Sequence, residues 1–516
     1  MSIDVVFVTP NSSGGVYQDL ANEYAAIEPP TWSLLLAESC RSKGFSVKII
    51  DANAENINEQ QIKKRILDFN PRILCFVIYG QNVNAGTTNM SGAVKLSNFL
   101  KKEDIKIPIV YVGSHVQALP LKTLNEEDSI DIVCTNEGVY SIHNLLKLKS
   151  FDDKSLETIK GIGFRFKGEP ILNSAEEVVP QEKMDIDLPG YAWDLLPYKS
   201  RPFDLYRSPM WHAEYIKEFR SPYAALQTSL GCQFGCNFCM INIINRNDND
   251  EIGVAANYSK MRYWSTDFII KEFKKLIIKY GIKTIRIVDE MFLLNPKYYI
   301  PLCEKLSSLN KDDSLRMWAY SRVDTIKRKN ILSLVRKAGI KWLCLGIESG
   351  SKKIRLEVSK GKFEDVDVKD VVNQVHESDI NIMANYIYGL PGDDTDSIKK
   401  TFDLSVDLNT LGWNTYAAMA LPGSQLYKDA LKSNVKMPEN YEGYSFHSYN
   451  TQPLPTEKLS AAEVLKLRDE FYIKYHTNIK FLEKIEKKFG LEARNNIKKM
   501  TEIRLKRKII EEQENI

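Results

Sequence analysis

The chain has 516 residues, 43% of them hydrophobic and 27% charged, with a net charge of +3. That length exceeds one compact core, so two or three soluble domains are expected, and the balanced charge argues against a dedicated nucleic-acid binder. No apolar run approaches the roughly 20 residues of a membrane span and no leader precedes Val5, so the eight cysteines are expected in a reducing cytoplasm, as metal ligands or buried thiols.

From the N-terminus, apolar runs at Val5–Thr9, Ser46–Ile50, Ile73–Tyr79, Ile109–Val112 and Ile130–Cys134 predict strands. Helical patterns near Thr31–Lys43, Glu59–Phe69, Ala85–Lys102 and Tyr140–Leu148 separate them. Regular alternation with near-continuous apolar strands predicts an α/β domain over residues 1–150, built on a doubly wound parallel sheet. Polar and glycine residues gather just past the strands: Pro10-Asn11, Asp51, Gly80-Gln81-Asn82, Gly113-Ser114-His115 and Asn136-Glu137-Gly138. Ligands of open α/β sheets bind at that carboxyl edge.

Residues 151–220 read as a connector with a hairpin around Gly168-Glu169-Pro170. Alternation then resumes over 221–430, with strands at Ala225–Leu230, Thr284–Val288, Arg316–Tyr320, Trp342–Ile347, Ile382–Tyr388 and Asn414–Ala420. Helical patterns such as Asp267–Tyr280 and Ile326–Ala338 lie between them. Six such repeats predict a partial (β/α)6 barrel with its chemistry in the loops after the strands. Residues 431–516 predict a helical, charge-mixed tail, in which Tyr441–Pro455 can fold over the barrel mouth.

Just past the first barrel strand, Cys232, Cys236 and Cys239 form a C-x3-C-x2-C run. Three thiolates so spaced reach one small inorganic centre, but a structural zinc wants a fourth ligand and the next cysteine is Cys303. Cys40, Cys75, Cys134, Cys303 and Cys344 lie in apolar elements and read as buried thiols.

The cysteine run, with Phe238 before its third member, resembles the signature of the radical S-adenosylmethionine (SAM) enzymes. The resemblance implies a [4Fe–4S] cluster on the three cysteines, whose open iron chelates the amino and carboxylate groups of SAM. The cluster reduces SAM to methionine and a 5′-deoxyadenosyl radical. It also implies SAM contacts from the later strand ends: Asp289 or Glu290 on the ammonium, with Glu290 favoured, Arg322 on the carboxylate, and Glu348 and Ser349 on ribose or methionine. Tyr388 and Gly389 fall in the adenine-side turn.

Residues 1–150 resemble the cobalamin-binding (B12) domain that precedes many such barrels. The marks are Glu28-Pro-Pro-Thr-Trp-Ser-Leu-Leu-Leu, the Gly44…Val47…Asp51 strand and the Gly113-Ser114-His115 and Asn136-Glu137-Gly138 turns. Implied cobalamin contacts are Asn11, Tyr79, Gln81, Gly113, Ser114, His115 and Glu137. Where that domain places a cobalt-ligating histidine, after its first strand, this chain reads Pro10-Asn-Ser-Ser-Gly-Gly-Val16, so cobalt is expected to lack a protein imidazole.

Together the resemblances imply a cobalamin-dependent methylase of an unactivated carbon in a small-molecule or cell-surface metabolite, using two SAM molecules per product and a low-potential donor such as flavodoxin or ferredoxin. A B12-binding radical SAM enzyme of rearrangement, cyclisation or oxidation is the alternative. A methylthiotransferase would need a second cluster, yet Cys40, Cys75 and Cys134 lie within elements. A non-catalytic B12 sensor would lack the cysteine motif.

Overall fold

In the computed structural model, described residues are 2–79, 83–201, 205–208, 221–241, 243, 261–326, 329–359 and 366–514. The predicted Gln81 contact lies outside them. Seven strands form the first sheet: β1 (Ile3–Thr9), β2 (Val47–Asp51), β3 (Pro71–Ile78), β4 (Ile109–Gly113), β5 (Ile132–Cys134), β6 (Ile162–Phe166) and β7 (Glu169–Leu172). Their order is β2-β1-β3-β4-β5-β6-β7. The first five pair in parallel. Val5–Val8 and Ile73–Ile78 are buried throughout, as strands covered by helices on both faces require. Chain order reverses between β1 and β3, which opens the ligand crevice of this topology at their carboxyl ends.

The connector does not stand apart. Its hairpin, β6 and β7, adds antiparallel to β5 and extends the N-terminal sheet. Predicted helices appear with small shifts at their ends, at Thr31–Ser42, Glu59–Phe69, Gly86–Lys102 and Val139–Lys147. Glu59–Phe69 starts where it does because Asn58 and Gln61 form a reciprocal capping box.

The second sheet holds β8 (Tyr223–Leu226), β11 (Thr284–Ile287), β12 (Arg316–Arg322), β13 (Ile340–Glu348), β14 (Asn381–Tyr388) and β15 (Gly412–Ala417). All its pairings are parallel and its order follows the sequence, from β8 at one end to β15 at the other, giving a half-barrel. The first predicted strand breaks after Leu226. Its continuation β9 (Ser229–Leu230) leaves the sheet and pairs antiparallel with β10 (Arg262–Tyr263). Helices Ala461–His476, Ile479–Phe489 and Leu491–Glu502 pack on the barrel exterior. No described helix is long and apolar enough to cross a membrane.

Candidate functional site

Thr228 and Ser229 turn the chain out of β8, and Asp289 fixes that turn. Its carboxylate accepts from Thr228 N (2.6 Å), Thr228 Oγ1 (2.5 Å) and Ser229 Oγ (2.6 Å). Gly231 follows at φ 90°, a conformation open to glycine, and delivers Cys232 to the end of the half-barrel. Cys232 is buried, Cys236 and Cys239 are half-buried, and all three are free thiols. Burial pushes each thiol up, Cys236 to about 12, and the neighbouring thiols add to the effect at Cys232 and Cys236.

Two donors point at these sulfurs. Arg322 Nη1 lies 3.9 Å from Cys236 Sγ, and Asn84 Nδ2 lies 3.5 Å from Cys239 Sγ. Among the described residues no three His, Cys, Asp or Glu side chains close on a single-ion position. Phe238 packs between the apolar groups around Leu390 and Leu426, holding the loop to the barrel rim.

Adjacent acids take opposite roles. Asp289 has its acceptor sites filled, whereas Glu290 Oε2 is buried with no hydrogen-bond partner. Burial, with Asp289 beside it, raises the Glu290 carboxyl to about 8. Its charge acts on both Cys232 and Cys239, so it stands beside the sulfurs. Glu348 sits at a register shift between Gly346 and Glu348, at φ 65°. A non-glycine residue held there carries about 1–2 kcal/mol of strain. Burial raises its carboxyl to about 7, while Arg322 opposes the rise.

Several residues assigned to SAM on sequence are engaged by other groups of the protein. Arg322, expected to fork a carboxylate of SAM, gives Nε (2.7 Å) and Nη2 to Asp324 and stacks 3.8 Å over the Phe234 ring. Ser349 is fully buried, 3.2 Å from Thr401 Oγ1, and accepts from Ser351 N. Tyr388 lies on the outer face of β14, edge-on to Phe471. Gly389, at φ 81°, packs so tightly under Val464 that a Cβ would collide with it. Strand alternation is the reason: Asn385 lies on the inner face, so Tyr386 and Tyr388, one and three residues on, both take the outer one. Asn385, Asn414 and Tyr416 line the barrel interior, with Asn414 Nδ2 donating to Tyr416 Oη at 2.6 Å.

At the N-terminal edge, Asn11 is exposed and Tyr79 Oη accepts from Gln117 Nε2 at 2.6 Å. Gly113 runs so close to β3 that a Cβ would strike the Ile78 carbonyl. Ser114 is buried. His115, expected on cobalamin, bonds Thr87 Oγ1 through Nδ1 at 3.1 Å and meets the Tyr441 ring edge-on. Burial lowers it to about 3, so the imidazole is neutral. Glu137, also expected there, is instead a buried tie between sheets. It accepts from Val179 N (2.6 Å) and pairs with Arg262 Nη2 of β10 at 2.8 Å.

The two carboxyl edges meet. Tyr79, Ala118 and Leu119 pack with Cys232, Cys239, Met240, Ile241 and Met291 in one apolar cluster. A strap from the C-terminal region crosses the same mouth. Ser445 Oγ donates to Val16 O (2.9 Å), Tyr441 Oη to Glu127, and Phe446 packs on Tyr416 at 5.1 Å. Sequence reading missed Asn84, Phe234 and Asp324. Asn84 sits two residues beyond a polar strand end it had marked, and Phe234 lies inside the cysteine motif.

The residues fit the implied groups. Three thiols with two donors and an unbonded acid suit a cluster beside an ammonium. A buried, unbonded Gln117 Oε1 at the other edge suits the carboxamide N–H groups on a corrin rim. Comparison with known proteins agrees. The profile of the radical SAM superfamily matches residues 226–405 and that of the B12 binding domain matches residues 17–146. The chain is therefore a B12-binding domain joined to a radical SAM domain. It is a B12-dependent radical SAM enzyme whose cofactors are a [4Fe–4S] cluster, SAM and cobalamin.

It is similar to an uncharacterized methyltransferase of Pyrococcus horikoshii, 27% identical over 88% of this chain and 89% of the relative. It is also similar to the anaerobic magnesium-protoporphyrin IX monomethyl ester cyclase of Cereibacter sphaeroides, 23% identical over 89% of this chain and 68% of that one. The fold matches the radical SAM methyltransferase TsrM from Kitasatospora setae, with a TM-score of 0.62 at 14% identity, covering 86% of this chain and 83% of TsrM.

Proposed function

We propose that the chain is a C-methyltransferase that acts on an unactivated carbon of a small-molecule or cell-surface metabolite. The observation that carries this reading is the contact between the two edges, where the cysteine loop packs on Tyr79 and Ala118 at the mouth of the cobalamin crevice. Methyl carrier and radical source then share one enclosed space. When bound, these groups supply a transferable methyl and a radical able to take hydrogen from carbon.

The chain's own residues orient that chemistry. Cys232, Cys236 and Cys239 hold the cluster. Glu290, whose Oε2 is buried without a partner, takes the SAM ammonium; a charge-assisted hydrogen bond there ends its unmet desolvation. Asp324 holds Arg322 flat on Phe234, so one guanidinium nitrogen stays on Cys236. Glu348, at the bulge, faces the same space and takes a hydroxyl of the ligand. Asn11, Gly113, Ser114 and Gln117 hold the corrin rim, with no imidazole on cobalt. Asn385, Asn414 and Tyr416 bind the substrate inside the barrel, and a flavodoxin or ferredoxin supplies electrons.

After anaerobic reconstitution with cluster and hydroxocobalamin, SAM carrying a labelled methyl should yield a product bearing the label, read by mass spectrometry with candidate metabolites. Similarity to the cyclase supports a second reading, cyclisation without methyl transfer. Deoxyadenosine formed with no label in any product would favour it. Nitrogen superhyperfine splitting in the cob(II)alamin electron paramagnetic resonance spectrum that is lost on His115→Ala would sink the histidine-free assignment.

A further inference from the structure

Asn84 lies in the turn Val83–Ala85 that follows β3, on the cobalamin domain, yet both ends of its amide are spent on the cluster loop of the barrel. Its Nδ2 faces Cys239 Sγ at 3.5 Å, and its Oδ1 accepts from Met240 N at 3.0 Å. The second bond fixes the amide's orientation, so the N–H must point at sulfur rather than away from it. Around this pair, Ala118, Leu119 and Tyr79 of one domain pack on Cys232, Cys239, Met240 and Ile241 of the other. The half-buried donor is thus held by a bond on each end of its amide.

We propose that Asn84 is a positioning residue through which the cobalamin domain sets the reduction potential of the cluster. The proposal rests on the reading of Cys239 as a cluster ligand. A donor aimed at a ligand sulfur stabilises the more negative, reduced cluster and raises its potential. The same residue is anchored where β3 borders the cobalamin crevice, so the donor's distance to sulfur follows the state of that edge. An alanine, leucine or aspartate in its place would leave the loop's sulfur without this donor. Aspartate would still accept from Met240 N and keep the loop seated.

The test is a redox titration of the reconstituted full chain, followed by electron paramagnetic resonance, for the wild type, Asn84→Asp and Asn84→Ala, with iron and sulfide measured on each. Asn84→Asp removes the donor and adds negative charge. At a fixed poise its reduced-to-oxidised ratio should fall by about tenfold, which is about 59 mV more negative for a one-electron couple. Asn84→Ala should shift in the same direction by less. Addition of hydroxocobalamin should move the wild-type potential more than that of either variant. An Asn84→Asp chain with a full cluster and the wild-type potential would overturn the proposal, whatever Asn84→Ala does, because the bond to Met240 would then be the whole role. If the wild type itself takes up no cluster, the assignment of the three cysteines fails first, and that result is read from iron content before any potential.

Discussion

The two carboxyl edges that meet in this molecule both bury acids, and they treat them differently. On the N-terminal sheet, Asp51 accepts from Ala54 N (3.1 Å) and Tyr206 Oη (2.9 Å), and Glu137 accepts from Val179 and Arg262. On the barrel, Asp289 follows that pattern, but Glu290 keeps a buried oxygen without a partner and Glu348 is held at a left-handed φ. Buried polar groups without partners cost about 1–3 kcal/mol each, so a fold retains them where a ligand completes the set. Filled acids belong to the frame. On the proposed reading, the unfilled oxygen of Glu290 meets the SAM ammonium.

The sharpest way to break that contrast is at the cysteines. Replacing Cys232, Cys236 or Cys239 by alanine should abolish visible cluster absorption and SAM cleavage, while Cys303→Ala and Cys344→Ala leave both intact. Equal losses from either control would remove the distinction between site and core thiols.

Next in size is the buried ion pair of the frame. Glu137→Ala strands Arg262 in a dry site and should cost about 3–5 kcal/mol in unfolding free energy by denaturant titration. A variant of wild-type stability that bound cobalamin poorly would return Glu137 to the cofactor. Glu290→Gln should act in the reverse way, weakening SAM binding by about ten- to a hundred-fold, or 1.5–3 kcal/mol, with iron content unchanged. Calorimetry showing wild-type SAM affinity would make Glu290 a frame residue like its neighbour.

Most gradual, spread over several pH units, is an acid sensitivity. His115 is lowered from 6.5 to about 3 by burial, so the folded state binds fewer protons than the unfolded chain between those values. Its contribution is complete above pH 6.5 and is lost as pH falls, by at most about 1.4 kcal/mol per pH unit. His115→Gln should flatten the stability curve over that window. An unchanged slope would show that His115 is not the neutral, packed group described above.

How far these features were legible depended on their physics. Buried parallel strands are unbroken apolar runs, so both parallel sheets could be read from sequence, as could the helix Glu59–Phe69. The break after Leu226 was not legible, because Asp289 makes it from 60 residues away in the chain. The resemblance favoured Glu290 over Asp289, but the turn that ties Asp289 to Thr228 and Ser229, and so separates two chemically alike acids, was not legible. Tyr388 and Ser349 were placed in the right strand ends, but a motif identifies a segment and leaves open which side of the sheet a side chain takes. Asn84 needed two domains to be brought together before its role could appear.

The strap also bears on how the protein is made. Ser445 and Val16, joined across the mouth, are 429 residues apart. At roughly 5–20 residues per second, synthesis leaves Val16 waiting roughly 20–90 s for its partner. Both sheets and the cysteine loop leave the ribosome before the segment that covers their junction. Iron, sulfide and a corrin therefore have an open doorway during translation that narrows only when the chain is nearly finished.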